Sequence, residues 1–589
     1  MIDYSKTIVF PFAIATLVFL QLPNVLAQSP PNVILIITDD QGYGDLGYHG
    51  NPHIHTPVLD QLARESIRLD QFYVSPVCAP TRSSLMTGRY SLRTGVRDTY
   101  NGGAIMAPEE VTIAEMLKDA GYRTGIFGKW HLGDNYPSRP QDQGFDESLI
   151  HLAGGMGQPG DFTTYFQMDS SYFDPVLWRN GEQQAYKGYC SDIFTDEAME
   201  FMANSSDHPF FLYLSFNAPH TPLQVPEEYY EKYKDIDPSS GFEGDKRPFA
   251  EMSEKDKEDA RKVYGMVTNI DDNVGRLLKH LEELELTENT VVIFMTDNGP
   301  QQVRYNAGMR GRKSHVFRGG VRVPFFIKWP ANLKENGEVE TALAHIDVLP
   351  TLADICQAQL PDDRKIDGKS FFPLLKGKQA LGFEDRPLFF YWTRRFPELY
   401  NNIALQKGAY KLVGRTSYNA DMEDFELYNV REDEFELSNI VQGHLSLAKE
   451  MKEELDGMLK ELIASPHLQN PQRIVIGNKE ENPVFLNRND AGGQRGIWTQ
   501  EELHGLWKVD IIEGHYDLKF KFISPVKGKG KMLLETNTTI LQTSEMEMDS
   551  DILEMKEVYL PDMETDLIPH FEIAGRYIFP LWVEIRKLP

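Results

Sequence analysis

Residues Val33–Thr38 read VILIIT, an unbroken apolar run rich in β-branched side chains between Pro31 and the pair Asp39-Asp40. Such a run predicts a strand buried on both faces, as in a parallel sheet. Thr56-Pro57 marks a helix start, with Leu59, Leu62, Ala63 and Ile67 as its apolar stripe. Thr112 and Glu115 have capping-box spacing, and Gly121 is placed to end that helix. A strand follows from Pro209 (PFFLYLSF). Val263, Val267, Ile270, Val274, Leu277 and Leu281 then recur at helical spacing. Thr290–Thr296 (TVVIFMT) and Val323–Trp329 are two further strands. Strand and helix alternate throughout, which predicts an α/β fold with a large, mainly parallel sheet sandwiched by helices.

The pattern changes past residue 380. Short strands at Phe389–Trp392, Ile403–Gln406 and Tyr410–Val413 precede a helix over Leu445–Leu462, predicting a smaller α+β subdomain over 381–470. Residues 471–589 read as a β-rich region. Its strands are expected at Leu506–Ile512, Tyr516–Ile523 and Tyr577–Ile585, with Gly- and Lys-rich turns at Val526–Lys531. The large domain spans 28–380. Residues 1–27 have the pattern of a signal peptide: Lys6, an apolar run over Ile8–Leu20, and Val25-Leu26-Ala27 before a cleavage point at Gln28. The reading is an exported protein, periplasmic or secreted, with no membrane anchor.

Charge alters this picture in one respect. The net charge is −28, which argues against nucleic acid as a partner. Yet Gln71–Arg97 holds Arg82, Arg89, Arg93 and Arg97 and no carboxylate. Asn298–Lys334 holds eight Lys or Arg plus His315, again with no carboxylate. An acidic chain that keeps two long segments purely cationic is expected to gather them around an anionic ligand. Three cysteines, Cys78, Cys190 and Cys356, do not make a disulfide scaffold. Cys190 and Cys356 are read either as a pair or as two buried thiols.

Two predicted strands end in adjacent oxygen-bearing side chains, Asp39-Asp40 and Asp297-Asn298. Ligands of open parallel sheets bind beyond the carboxyl ends of the strands. Three carboxylates and a carboxamide meeting there make a hard, oxygen-only set suited to Ca²⁺ or Mg²⁺, and the lack of His or Cys among them argues against zinc. In Cys78-Ala79-Pro80-Thr81-Arg82, Pro80 can open a helix. Residue 78 would then lie at the helix N-terminus, where free N–H groups favour an anion.

Cys78-Ala79-Pro80-Thr81-Arg82, followed by Ser83-Ser84-Leu85-Met86-Thr87-Gly88, resembles the modification site of the formylglycine-dependent sulfatases, members of the alkaline phosphatase superfamily. Companion motifs occur in the family's order: Asp39–Asp45 (DDQGYGD), Gly128–Gly133 (GKWHLG), Asn217–Pro222 (NAPHTP), Thr296–Gly299 (TDNG), and Lys313 upstream of Gly319–Pro324 (GGVRVP). The chain resembles exported bacterial polysaccharide sulfatases; the likeness is strong over about Asn32–Leu375, looser through Glu426–Asn439, and fades beyond about residue 470.

The resemblance implies an alkaline phosphatase-like fold and hydrolysis of sulfate esters. The substrates would be sulfated oligosaccharides from algal polysaccharides (ulvan, carrageenan, fucoidan) or animal ones. It also implies that a formylglycine-generating or anaerobic sulfatase-maturating enzyme converts Cys78 to formylglycine. The hydrated aldehyde would attack sulfur, form a covalent sulfo-enzyme and expel sulfate from its second hydroxyl. Asp39, Asp40, Asp297 and Asn298 would hold one Ca²⁺, in preference to Mg²⁺, with residue 78 beside it. Arg82 and Lys129 would hold the diol, His131 would take its proton, His220 and Lys313 would bind sulfate, and one of those two would protonate the leaving alcohol. His49, His53, His55, His151 and His315 are read as structural. Arg318 replaces the Glu of many relatives before the Gly-Gly pair and is expected to contact a second anionic group on the substrate. The rival readings are a phosphodiesterase or phosphonate monoester hydrolase of the same superfamily, and a non-catalytic binder of sulfated glycans.

Overall fold

The computed structural model describes residues 30–205, 207–242, 247–379, 381–394, 396–397, 400–415, 420–494 and 496–589. The leader expected over 1–27 lies outside the described residues. Among these, no helix is long and apolar enough to cross a membrane.

The alternating pattern folds into a ten-stranded mixed sheet. Its centre is parallel and built from β1 (Asn32–Thr38), β2 (Arg123–Lys129), β3 (Phe210–Ser215) and β4 (Thr290–Thr296), in the spatial order β4-β1-β3-β2. Glu147–His151 extends the parallel part beyond β2. Antiparallel strands close both flanks, with Phe325–Lys328 beside β4 and Val176–Arg179 beside Glu147–His151. Because β1 has a strand on each side and helices on each face, its side chains divide between two cores. Val33, Leu35 and Ile37 enter one, Ile34 and Ile36 the other.

Helix α1 (Cys78–Thr87) sends Leu85 and Met86 into the first core. The long α2 (Glu254–Glu283) lays Met266, Ile270, Val274, Leu277 and Leu281 into the second, started by a Ser253–Asp256 capping box. The helix after Pro57 forms as expected, but two details differ. Thr56 does not cap it: its hydroxyl donates to Asp60 Oδ1 at 3.0 Å, and the exposed N–H groups of Val58 and Leu59 are taken instead by the Asp271 carboxylate of α2. Ile67 leaves the helix and opens the short strand Ile67–Leu69, paired with Phe325–Lys328.

Leu388–Tyr391, Ile403–Lys407, Tyr410–Gly414 and Phe425–Asn429 form a four-stranded antiparallel sheet, against which the helix Leu445–Ile463 packs. The rest of the chain builds a nine-stranded sheet around the long hairpin Gly514–Glu535/Ile540–Leu560. Here the expected turns at Val526–Lys531 are replaced by strand. The alternation of Gly and Lys is a two-residue period, and Lys527 and Lys531 pair across the hairpin with Asp549 and Glu545. Pro580 splits the strand expected over 577–585 into Arg576–Ile578 and Trp582–Lys587. Cys190 and Cys356 are both buried free thiols.

Arg318 belongs to the joint between the large sheet and the four-stranded one. Its side chain is 1% exposed and donates to the carbonyls of Val430 and Glu434 and to Gln71 Oε1, while its own N–H donates to Glu436 Oε2. Glu436 is also paired with the fully buried Lys411 at 2.8 Å. The expected contact of Arg318 with substrate is therefore corrected: the guanidinium is spent on carbonyls that would otherwise be buried without a donor. Arg318→Ala strips donors from those buried groups, and about 2–4 kcal/mol of stability should be lost in denaturant unfolding. A rise in KM confined to polyanionic substrates, with stability unchanged, would contradict this.

Candidate active site

The register of the central strands assembles the site. Thr38 of β1 lies opposite Thr296 of β4, so the next residues, Asp39 and Asp297, emerge side by side. Asp40 then turns back with φ +65°, a conformation Asp tolerates better than most residues, and its N–H donates to Asp297 Oδ1 at 3.2 Å. Arg304 stabilises this turn by donating to the Asp40 carbonyl and to the buried Asp45 carboxylate, at 2.6 Å for the latter. Gly299 has to be glycine, because a Cβ there would lie 1.9 Å from the Gly319 carbonyl oxygen. Gly128, at φ +118°, allows β2 to end against Ser215, where a Cβ would meet the carbonyl oxygen at 1.8 Å. Lys129 and His131 emerge beyond it. His220 comes from the loop after β3, and Lys313 from the loop after β4, tied down by its N–H to the Pro300 carbonyl at 3.0 Å. Cys78 is the first residue of α1, fully buried.

All ten residues singled out from the sequence converge here. Three cation–carboxylate pairs dominate. Lys129 Nζ donates to Asp39 Oδ2 at 2.5 Å. Arg82 reaches Asp297 Oδ2 through Nε at 3.1 Å and Nη2 at 2.8 Å, and its Nη1 donates to Ser215 Oγ and the Lys129 carbonyl. Lys313 Nζ lies 2.7 Å from Asp40 Oδ1. Asn298 Nδ2 also donates to Asp40, at 2.8 Å. Three buried carboxylates are thus matched by three cations, the condition on which burial of such charges is tolerated.

Burial shifts the remaining groups. It lowers His220 to about 3, with Lys313 adding to the effect and Asp40 opposing it, and it lowers His131 well below the usual imidazole range, helped by Lys129. Both rings are therefore neutral near pH 7. The Thr99 carbonyl accepts from His131 Nε2 at 2.6 Å, which leaves Nδ1 as the unprotonated nitrogen, buried and without a partner in the protein. His220 Nδ1 donates to the Thr221 carbonyl at 2.7 Å, leaving Nε2 facing Asp40 Oδ2 at 3.7 Å. Burial and Asp39 raise Asp297 to about 6 against the pull of Arg82.

The donor set fits a divalent cation. Ligand atoms of Asp39, Cys78 and Asp297, and likewise of Asp39, Asp40 and His220, lie within 4.8 Å of one another. Asp39 Oδ1 and Asn298 Oδ1 are buried oxygens with no hydrogen-bond partner in the protein, as expected of atoms whose partner is an ion.

The site opens into a cavity of about 580 Å³ lined by Cys78, His131, His220 and Lys313. His315 lines it too, whereas His49 is stacked on Tyr43 and His151 is buried with Nδ1 on the Leu152 carbonyl. Sequence reasoning missed the outer wall, made by Tyr100, Gln158, Gln301, Arg312, Arg394 and Trp498. No local motif marks these residues. The cationic segment containing Arg312 was the one available signal.

The sulfatase family profile matches residues 31–358, and that of the N-sulphoglucosamine sulphohydrolase C-terminal region matches 312–463. Human N-acetylgalactosamine-6-sulfatase is 32% identical over 396 residues, covering 62% of this chain and 69% of the relative. Human arylsulfatase A is 33% identical over 415 residues, covering 65% and 74%. Among solved structures, that of Ps i-CgsB in complex with k-i-k-neocarrahexaose superposes with a TM-score of 0.64 at 27% identity, over 75% of this chain and 94% of that one. The fold is accordingly the alkaline phosphatase-like fold of the sulfatases.

A Ca²⁺ ion bound to the folded state alone would, at a hundred times its dissociation constant, add about 2.7 kcal/mol to stability. The thermal midpoint should therefore rise by about 2 °C with Ca²⁺ and fall back with chelator. Asp39→Asn and Asp297→Asn should each abolish the response. An equal rise in the variants would place the ion elsewhere.

Proposed function

This chain belongs to the sulfatase family and is a sulfuric ester hydrolase, and we propose that it desulfates sulfated oligosaccharides of algal or animal polysaccharides with a formylglycine made from Cys78. The observation that carries this reading is the position of Cys78, at the N-terminus of α1 and at the floor of the cavity, among three cation–carboxylate pairs. As a plain thiol Cys78 is a poor nucleophile there, because burial pushes its pKa up, with Lys129 and Lys313 only partly opposing. Hydrated formylglycine would supply one hydroxyl to attack sulfur and a second whose deprotonation releases sulfate. A Ca²⁺ ion held by Asp39, Asp40, Asp297 and Asn298 would supply Lewis acidity toward the sulfate oxygens.

The chain's own residues then have defined tasks. Arg82 and Lys129, locked onto Asp297 and Asp39, would hold the diol at residue 78. His131, neutral with a free Nδ1, is poised to accept a proton at residue 78. Lys313 projects into the cavity as a sulfate-binding cation able to protonate the leaving oxygen, and neutral His220 lies on the same wall with Nε2 free to accept a hydrogen bond. The saccharide class is supported by the likeness to a carrageenan-fragment complex at 27% identity. We assign catalysis to residues 28–380, with 381–470 and 471–589 packed around the cavity, and place the protein in an exported compartment after maturation of Cys78 by a dedicated enzyme.

Mass spectrometry of protein from its native host should find an aldehyde, not a thiol, at residue 78. Cys78→Ala should lower sulfate release at least about a thousandfold. An unmodified thiol at full activity would overturn the mechanism, and faster turnover of a nitrophenyl phosphodiester than of its sulfate counterpart would favour the phosphodiesterase reading.

A further inference from the structure

Trp498 reaches the cavity from outside the residues that either family profile matches. Its ring lies 5.0 Å from that of Tyr100, centroid to centroid, with the planes inclined at 54°. The Arg394 guanidinium covers the Tyr100 ring at 4.7 Å and donates to Thr99 Oγ1 at 3.0 Å and Asp98 Oδ1 at 3.2 Å. Three separate parts of the chain thus form one ridge at the mouth of the site. Thr99, whose carbonyl orients His131, lies at its base.

Beyond the ridge is a second hollow of about 720 Å³. It shares Tyr100 and Arg394 with the first, and its far wall is Gly493, Gln494, Gly496 and Ile497 of the C-terminal region. That region is firmly seated. Phe162 stacks against Phe485 and packs on Trp582, both at 5.4 Å, and the Gly102 N–H donates to the Asn489 carbonyl. Tyr100 itself packs on the C-terminal core.

Resting on the sulfatase reading above, we propose that the 471–589 region completes an extended substrate site. In it, a sulfated sugar chain runs from Cys78 across the Tyr100–Trp498–Arg394 ridge into the second hollow. An aromatic ring beside a partly exposed guanidinium matches such a ligand, offering a face for the apolar side of a pyranose and a cation for a second sulfate. The reacting sugar fills the first cavity, and Trp498 and the second hollow hold the residues attached to it. Chain length should therefore add affinity, and it should do so through Trp498.

The test is calorimetric binding to the full-length Cys78→Ser protein, which removes turnover from the readout. Disaccharides and tetrasaccharides of carrageenan, ulvan, fucoidan and chondroitin sulfate serve as probes. For at least one of the four, the tetrasaccharide should bind at least tenfold tighter than the disaccharide. Trp498→Ala should shrink that gain to threefold or less, and Trp498→Phe should retain most of it. Circular dichroism of each variant confirms the fold. No gain with chain length in any series, or a gain that survives Trp498→Ala, overturns the proposal. Because binding is measured without catalysis, either outcome leaves the reading of Cys78 to its own test.

Discussion

Everything in this site depends on holding three carboxylates together away from water. Asp39, Asp40 and Asp297 are all fully buried, and their repulsion is visible in Asp297, raised by burial and by Asp39. Nothing else in the fold would place them so close, because like charges at this range repel strongly in a medium of low dielectric. Parallel pairing of β1 and β4 in a fixed register makes the arrangement compulsory: a slip of one residue would separate the Asp39 and Asp297 backbones and turn every β1 side chain to the wrong core. The two cores that grip β1 therefore act as the clamp that keeps the acidic cluster assembled.

The cations follow from that constraint. Lys129 ends strand β2, Arg82 lies on α1 and Lys313 in the loop after β4, and each ends on a different carboxylate. With protein charges balanced three against three, a divalent ion held by Asp39, Asp40, Asp297 and Asn298 would leave the hollow positive by about its own charge. An anionic ester can enter such a hollow, and so can the negative charge that gathers on its oxygens during transfer. Neutral His131 and His220 complete the logic, since an imidazolium at either place could accept no proton.

How much of this was legible in the sequence depended on how local the physics is. Strand ends, the α1 start at Cys78 and the Lys129–His131 turn are set by residues within a few positions of one another, so contiguous motifs carried them. The joint at Arg318 is the opposite case. A run of cations says that charge is present but not which side of the backbone it faces, and Arg318 turned inward to satisfy the carbonyls of Val430 and Glu434. The Val526–Lys531 segment misled for a related reason: Gly and Lys suggest a turn by type, whereas their two-residue alternation, with acidic partners across the hairpin, specifies a strand. The outer wall was illegible because Tyr100, Arg394 and Trp498 meet only after three sheets have docked.

That docking separates chemistry from recognition. The floor of the cavity is built from the ends of central strands and from α1, where two cores leave little freedom. The rim is built from loops that belong to different sheets and are fixed by aromatic contacts such as Phe162 with Phe485 and Tyr100 with Trp498. Loops carried on a rigid scaffold tolerate substitution more readily than the strands beneath them. A change at the rim can thus alter which sulfated chain is admitted while the three ion pairs stay intact. The reverse does not hold: removing one of those carboxylates or cations leaves an uncompensated charge in the core. Substrate choice is therefore to be sought at this rim, where Trp498, outside the family profiles, meets Tyr100 and Arg394, which lie within them.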